Sequence, residues 1–198
     1  MDFLPIKRAI LSVTDKSGLA EFASFLAAGN VELVSTGGTC AMLRASCLAV
    51  VEVSEVTRFP EIMDGRVKTL HPAIHGGILA DKDKPEHLAT IAAHSIAPFD
   101  LVCVNLYDFA QAAAKGLDLR ASVEQIDIGG PCMLRAAAKN YHSVMVIPDP
   151  SWYPRIKESL SANAMQAPLA LRQELAAATF AATSAYDGMI AAYLQKQR

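Results

Sequence analysis

Short apolar runs alternate with helical patterns along this chain. That alternation constrains the fold most, because repeated strand–helix units select a parallel sheet covered by helices. Residues 9–13 form the first run, and residues 14–18 make a polar turn. The helix that follows sets Leu19, Phe22, Ala23 and Leu26 on one face, and Gly29 closes it. Residues 31–35, 49–53, 100–104 and 143–147 read as the next strands. Helices are expected through Met42 and Leu43, through Leu88, Ile91 and Ala92, and through Met133, Leu134, Ala137 and Ala138, the last with Pro131 at its first position. Pro168 opens a long helix whose Leu171, Leu175, Ala178 and Ala182 share a face. We therefore expect an α/β core over residues 1–148 and a helical extension over 149–198 packed back on it.

With 52% hydrophobic and 19% charged residues among 198, the chain is too apolar for disorder. No stretch approaches the roughly 20 apolar residues of a membrane span. A net charge of -2 argues against binding nucleic acid or acidic lipid through bulk charge, so the expected ligand is a small anion. Cys40, Cys47, Cys103 and Cys132 contain no CxxC pair and read as reduced thiols, not as a zinc site or disulfide framework. The first residues lack an export signal, which makes the cytoplasm the expected compartment.

In open parallel sheets, ligands sit beyond the carboxyl ends of strands. Thr36, Gly37, Gly38 and Thr39 fall there, offering hydroxyls and uncovered backbone N–H groups at a helix start. Lys16, in the turn after the first strand, brings a charge to the same place. Turn-making and capping are the better explanation of one such loop; two after adjacent strands make a bound phosphate an equal reading, and nothing finer. Residues 57–80 break the pattern with Pro60, Asp64-Gly65, Pro72 and Gly76-Gly77, yet carry Arg66, Lys68, His71 and His75, as a site does. Arg66 and Lys68 stand at alternate positions, so in an extended segment both point one way and grip one anion. His71 and His75 are four apart, but Pro72 bars a regular helix through His71 and no acidic ligand is suitably spaced; no metal is expected. Tyr107 and Asn105 follow a strand end, Asp127 precedes a helix start as a capping carboxylate does, and Lys139 closes that helix.

The phrases SVTDKSG, STGGT, FPEIMDGRVKTLHPAIHGGILA, NLY, EQIDIGGPCMLRAAAKN, RQELAAATF and AYDGMI occur in this order. Together they resemble the inosine monophosphate (IMP) cyclohydrolase domain, the N-terminal domain of a bifunctional purine-biosynthesis family whose other half is a formyltransferase. The resemblance runs nearly end to end. It implies a three-layer, parallel-sheet α/β domain of the methylglyoxal-synthase-like fold with a C-terminal helical extension. It also implies closure of the purine ring of 5-formamidoimidazole-4-carboxamide ribotide (FAICAR) to IMP and water, without cofactor or metal.

By motif position the resemblance makes Lys68, Tyr107, Asp127 and Lys139 the catalytic candidates. Asp127 is cast as proton acceptor and Lys139 as acid, with Lys68 and Tyr107 steadying the oxyanion. It assigns Thr14, Asp15, Lys16, Thr36, Gly37, Gly38 and Thr39 to the nucleotide's phosphate and sugar. Arg66, Val67, Lys68 and Thr69 go to phosphate and base, and Val104, Asn105, Asp127 and Ile128 to the heterocycle. Three positions depart from the family pattern: Asp108 replaces the usual proline after NLY, Cys132 a small hydroxyl residue, and Ala182 a frequent histidine. The formyltransferase half is absent from these residues, so coupling to a separate formyltransferase is expected, and a homodimer is the expected assembly. A methylglyoxal-synthase-like phosphate lyase and a non-catalytic nucleotide-binding regulatory module are the alternatives. A regular helix from Pro131 to Lys139 rises about 12 Å, so Asp127 and Lys139 meet one ligand only along the helix flank or if chains interleave.

Overall fold

The computed structural model describes residues 1–106, 109 and 118–197. Phe3–Pro5 (β1) stands apart from the main sheet, which begins with Arg8–Ser12 (β2). Glu32–Ser35 (β3), Val51–Glu52 (β4), Leu101–Val104 (β5) and Met145–Ile147 (β6) complete it, all parallel, in the order β4-β3-β2-β5-β6. Every residue of β5 and β6 is buried, as strands covered on both faces must be, which is why they read as unbroken apolar runs. Gln166–Pro168 (β7) pairs antiparallel with β1.

Leu19–Ala28 (α1) and Gly37–Ala45 (α2) follow β2 and β3 and pack on them. Val53–Thr57 (α3), Pro72–Leu79 (α4) and Pro85–Ala93 (α5) lie between β4 and β5. Leu119–Val123 (α6) and Gly129–Lys139 (α7) lead to β6. Helix α7 packs on β5, β6 and α4, and Leu169–Lys196 (α9) lies against α7 and β6. Right-handed crossovers place α1 and α2 on one face of the sheet and α7 on the other, which gives three layers. Tyr153–Ala162 (α8) joins the α1 side, where the Phe22 and Tyr153 rings stack at 4.4 Å. The Tyr153 hydroxyl lies 3.3 Å from the Cys103 sulfur, and burial pushes that thiol up to about 12. Among the described residues no helix is long and apolar enough to cross a membrane.

Helix α1 buries Leu19, Phe22, Ala23 and Leu26, the face expected from its spacing. Elsewhere the structure corrects the reading. The strand expected at 49–53 shortens to Val51–Glu52, because Glu52 and Glu55 form a reciprocal capping box that starts α3. Helix α7 starts at Gly129 instead of Pro131, since the Asp127 carboxylate accepts the Gly130 N–H at 3.0 Å and opens the helix upstream. The stripe of α9 also differs: Leu171, Arg172, Leu175, Ala176, Thr179, Thr183 and Tyr186 are buried, while Ala178 and Ala182 are only half-buried. Thr179 and Thr183 enter the core because their hydroxyls donate back to the carbonyls of Leu175 and Phe180, at 2.8 and 3.2 Å.

Candidate functional site

Strands β2 and β5 are neighbours whose connections run to opposite sides, β2 toward β3 and β5 toward β6. Their carboxyl ends open the crevice where doubly wound sheets hold ligands. Asn105, just past β5 and 7% exposed, crosses this switch point. Its Oδ1 accepts the N–H groups of Thr14 and Asp15 at 2.7 and 3.0 Å, and its Nδ2 donates to the Asp15 carbonyl at 2.8 Å. Both acceptor sites of the amide oxygen are thereby used, so the side chain shapes the loop in place of reading a heterocycle through that oxygen. Thr39 performs the same task from α2. Its buried hydroxyl accepts the Val13 N–H at 3.1 Å and donates to the Val13 carbonyl at 2.9 Å.

The loops pinned this way face outward. Thr14, Asp15 and Lys16 are exposed; the Ser17 hydroxyl and N–H hold the Asp15 carboxyl below its usual range. Lys16 Nζ donates to the Thr14 carbonyl at 3.3 Å. Thr36 is the N-cap of α2 but makes no side-chain cap bond. Gly37 has φ +53, and a Cβ on Gly38 would meet nothing within 4 Å, so the first N–H groups of α2 are open to a ligand.

The opposite wall is a tight hairpin. Met63, Asp64 and Gly65 take φ values of 52, 53 and 88°, a run of left-handed residues that side chains other than glycine resist. Ile62 and Val67 bridge across it. Lys68 leaves this hairpin with Nζ 3.9 Å from where a Gly37 Cβ would lie and 3.5 Å from that of Gly65. It thus reaches over the start of α2. Arg66 does not join it: the residue lies in the turn, where alternation of sides does not apply, and its guanidinium pairs with Glu124 at an exposed position. Glu61, which the sequence reading passed over, also flanks Gly65, its carboxylate 2.5 Å from the would-be Cβ. His71 Nδ1 accepts the Ala73 N–H at 3.1 Å and caps α4, with Pro72 behind it. Burial pushes the His75 imidazole down, and the carbonyls of Thr69 and His71 pull the other way. Among the described residues no group of three or more His, Cys, Asp or Glu is placed to hold a metal.

The third wall is the start of α7. Thr69 is buried, its Oγ1 only 2.6 Å from where a Gly129 Cβ would sit, so glycine permits this approach. Lys68 and Asp127 are thereby brought to adjoining segments. Asp127 is half-buried, Ile128 is exposed, and Val104 is buried at the end of β5. The Asp127 N–H donates to the Tyr186 hydroxyl at 2.8 Å. Lys139 is exposed in the last turn of α7, about 15 Å along the axis from Gly129. Because α7 returns from the carboxyl end of β5 to the amino end of β6, Lys139 lies at the far edge of the sheet from the pinned loops. Tyr107 and Asp108 lie outside the described residues.

Fold and site together define a doubly wound α/β domain whose topological switch point lies at the carboxyl ends of β2 and β5. Residues 18–132 match the MGS-like domain, and residues 137–198 match the AICARFT/IMPCHase bienzyme family. The chain belongs to the MGS-like domain family. The bifunctional purine biosynthesis protein PurH of Chelativorans sp. (strain BNC1) is 54% identical over 189 residues, covering 96% of this chain and 35% of that protein. PurH of Rhodospirillum rubrum is 51% identical over 194 residues, covering 98% and 37% respectively. The chain thus spans little more than a third of the length of the curated relatives it matches. In those bifunctional relatives the remaining length is fused to the matched part. The crystal structure of ForH superimposes with a TM-score of 0.83 at 32% identity, covering 96% of this chain and 99% of that one.

Proposed function

We propose that this chain is an IMP cyclohydrolase that closes the purine ring of FAICAR to IMP plus water, in the last step of purine biosynthesis. One observation carries the reading. Three distant motifs converge, with Lys68 reaching over Gly37 while Thr69 seats against Gly129 beside Asp127. The PurH relatives and the AICARFT/IMPCHase match support the same assignment.

In the reaction the carboxamide nitrogen attacks the formyl carbon and forms the new C–N bond. One proton leaves the carboxamide nitrogen and one the formamide nitrogen; both end on the former formyl oxygen, which departs as water. Nothing is oxidised or reduced, so no redox cofactor is required. Holding both groups of one molecule in line supplies up to about 7–11 kcal/mol of the barrier, less here because the free substrate is already half organised. Asp127 accepts the nucleophile's proton, while Lys68 and Tyr107 meet the developing oxyanion. The phosphate binds the open N–H groups of α2 with Thr36, Lys16 and the loop at Thr14 and Asp15; Val67 and Ile128 border the sugar and base, while Arg66 stays paired with Glu124.

Lys139, at the far edge of its own sheet, serves this ligand as acid from a second copy, which makes the working form a homodimer. Residues 1–148 are the catalytic core and 149–198 its extension. A formyltransferase unit supplies the substrate; in the bifunctional relatives it belongs to the same chain. The reaction is cytoplasmic and involves neither nucleic acid nor membrane.

The test is incubation with FAICAR while ring closure is followed by absorbance. Turnover is expected, with activity restored on mixing inactive Lys68→Ala and Lys139→Ala chains. A folded protein that binds IMP without turnover would be a regulatory module, and phosphate release from dihydroxyacetone phosphate would mark a lyase.

A further inference from the structure

We propose that Tyr186, near the middle of the long C-terminal helix, is a positioning residue for Asp127; the catalytic part of this claim rests on the cyclohydrolase reading. Tyr186 is the last buried residue of α9 and is only 2% exposed. Its phenolic oxygen accepts the main-chain N–H of Asp127 at 2.8 Å across 59 residues of sequence. From the other side, Asp127 Oδ1 accepts the Gly130 N–H at 3.0 Å. Asp127 is therefore held at backbone and carboxylate together.

The contact does more than fill space. The residues between α6 and α7 are held locally by turn bonds from the Glu124, Gln125 and Ile126 N–H groups to the carbonyls of Arg120, Ser122 and Val123, and the Tyr186 bond then ties Asp127 to α9. A carboxylate that must meet one particular nitrogen of a bound ligand tolerates little drift, since a displacement of about 1 Å costs on the order of 10²-fold in rate. The ring alone supplies the burial, so removing only the oxygen separates positioning from packing. Burial also holds the Tyr186 phenol above its ordinary range, which keeps it protonated and an acceptor only through its lone pairs.

Tyr186→Phe in the full chain is the test. For ring closure, kcat is expected to fall at least about tenfold, with KM and IMP affinity changed less than about twofold. In an Asp127→Asn background the same substitution should have no further effect, because the two residues act as one unit. An unchanged kcat, or an equal loss in the Asp127→Asn background, would overturn the proposal. Hydrogen exchange at the Asp127 amide reads the contact without any assay. In the unaltered chain this amide should be protected as strongly as the first bonded amides of α7, and in Tyr186→Phe it should exchange at least about tenfold faster while those of α7 do not. An unprotected Asp127 amide in the unaltered chain sinks the proposal even if the variant fails to fold. Protection in a chain that never closes the ring retains the contact and removes only the activity assignment.

Discussion

Asn105 and Asp15 are bonded in both directions: the Asp15 N–H donates to Asn105 Oδ1 at 3.0 Å, and Asn105 Nδ2 donates to the Asp15 carbonyl at 2.8 Å. With Thr14 as a third partner, one side chain ties the carboxyl ends of β5 and β2 together at the point where the sheet opens. Asn105 thus shapes the loop at Thr14 and Asp15, and in the cyclohydrolase reading it serves the phosphate loop instead of reading the base through its amide oxygen.

Asn105→Ala should therefore loosen the Thr14–Asp15 loop and leave its N–H groups without their acceptor. The expected loss of stability is about 1–3 kcal/mol. Binding of IMP should weaken roughly tenfold, equivalent to about 1.4 kcal/mol. Asn105→Asp keeps both acceptor positions and should recover part of the loss. Urea titration and calorimetric binding of the three proteins check this, and equal affinity in all three would refute it.

Gly130→Ala separates stability from chemistry. A Cβ there would lie 2.1 Å from Asp127 Oδ2, closer than any two such atoms can stand, so the carboxylate must rotate away. Within a helix, alanine is otherwise favoured over glycine by about 1 kcal/mol. The variant should thus melt within a few degrees of the unaltered chain while kcat for ring closure falls on the order of 10²-fold. A variant that melts normally and turns over normally would show that the carboxylate orientation is not needed.

Much of this architecture was legible because β2, β3, β5 and β6 are covered on both faces and so appear as apolar runs. The loops at their carboxyl ends were legible from Gly37, Gly38 and Lys16 for the same topological reason. What escaped depends on partners distant in sequence. β1 and β7 are each three residues long and exist only through pairing with each other. Arg66 looked like a partner for Lys68, yet the turn at Met63 to Gly65 sends it to Glu124. Lys139 shares a motif with Asp127 but sits at the other end of α7, a separation that spacing hinted at and only the sheet topology resolves. Arg172 and Tyr186 were invisible because a charged or polar residue on a buried stripe is intelligible only once its acceptor or donor is known.

His75 gives the fold an acid sensitivity with a definite sign. Burial lowers its pKa below the ordinary imidazole value of 6.5, so the unfolded chain takes up the proton first. Well above pH 6.5 the residue is neutral in both states and contributes no pH dependence. As pH falls through 6.5 the unfolded state gains and stability declines, until the folded imidazole protonates as well. The slope from this one group is at most about 1.4 kcal/mol per pH unit. His75→Gln should remove this component, which urea titrations of both proteins between about pH 5 and pH 8 will reveal as diverging midpoints on the acid side only. Parallel midpoints across the range would mean that His75 titrates normally.

Arg172 offers the largest single effect on folding. Its side chain has no exposure, and its guanidinium is spent entirely on backbone carbonyls. Nη1 donates to Tyr141 at 2.8 Å and to His142, Nη2 to Met1 at 2.6 Å and Asp2 at 3.5 Å, and Nε to Ala167 at 3.2 Å. One residue of α9 thereby joins the first residues of the chain, the turn before β6 and the strand β7. Hydrogen bonds to a charged group contribute about 1.5–3 kcal/mol each, and they do not add independently when they share one donor group. Arg172→Met keeps the volume but leaves the carbonyls buried without donors, so a loss of about 3 kcal/mol or more is expected. Arg172→Lys should recover little, because a single ammonium cannot span three segments that a planar fork reaches together. Urea midpoints decide the matter: a lysine variant as stable as the unaltered chain would mean that the charge alone, and not the fork, holds these segments.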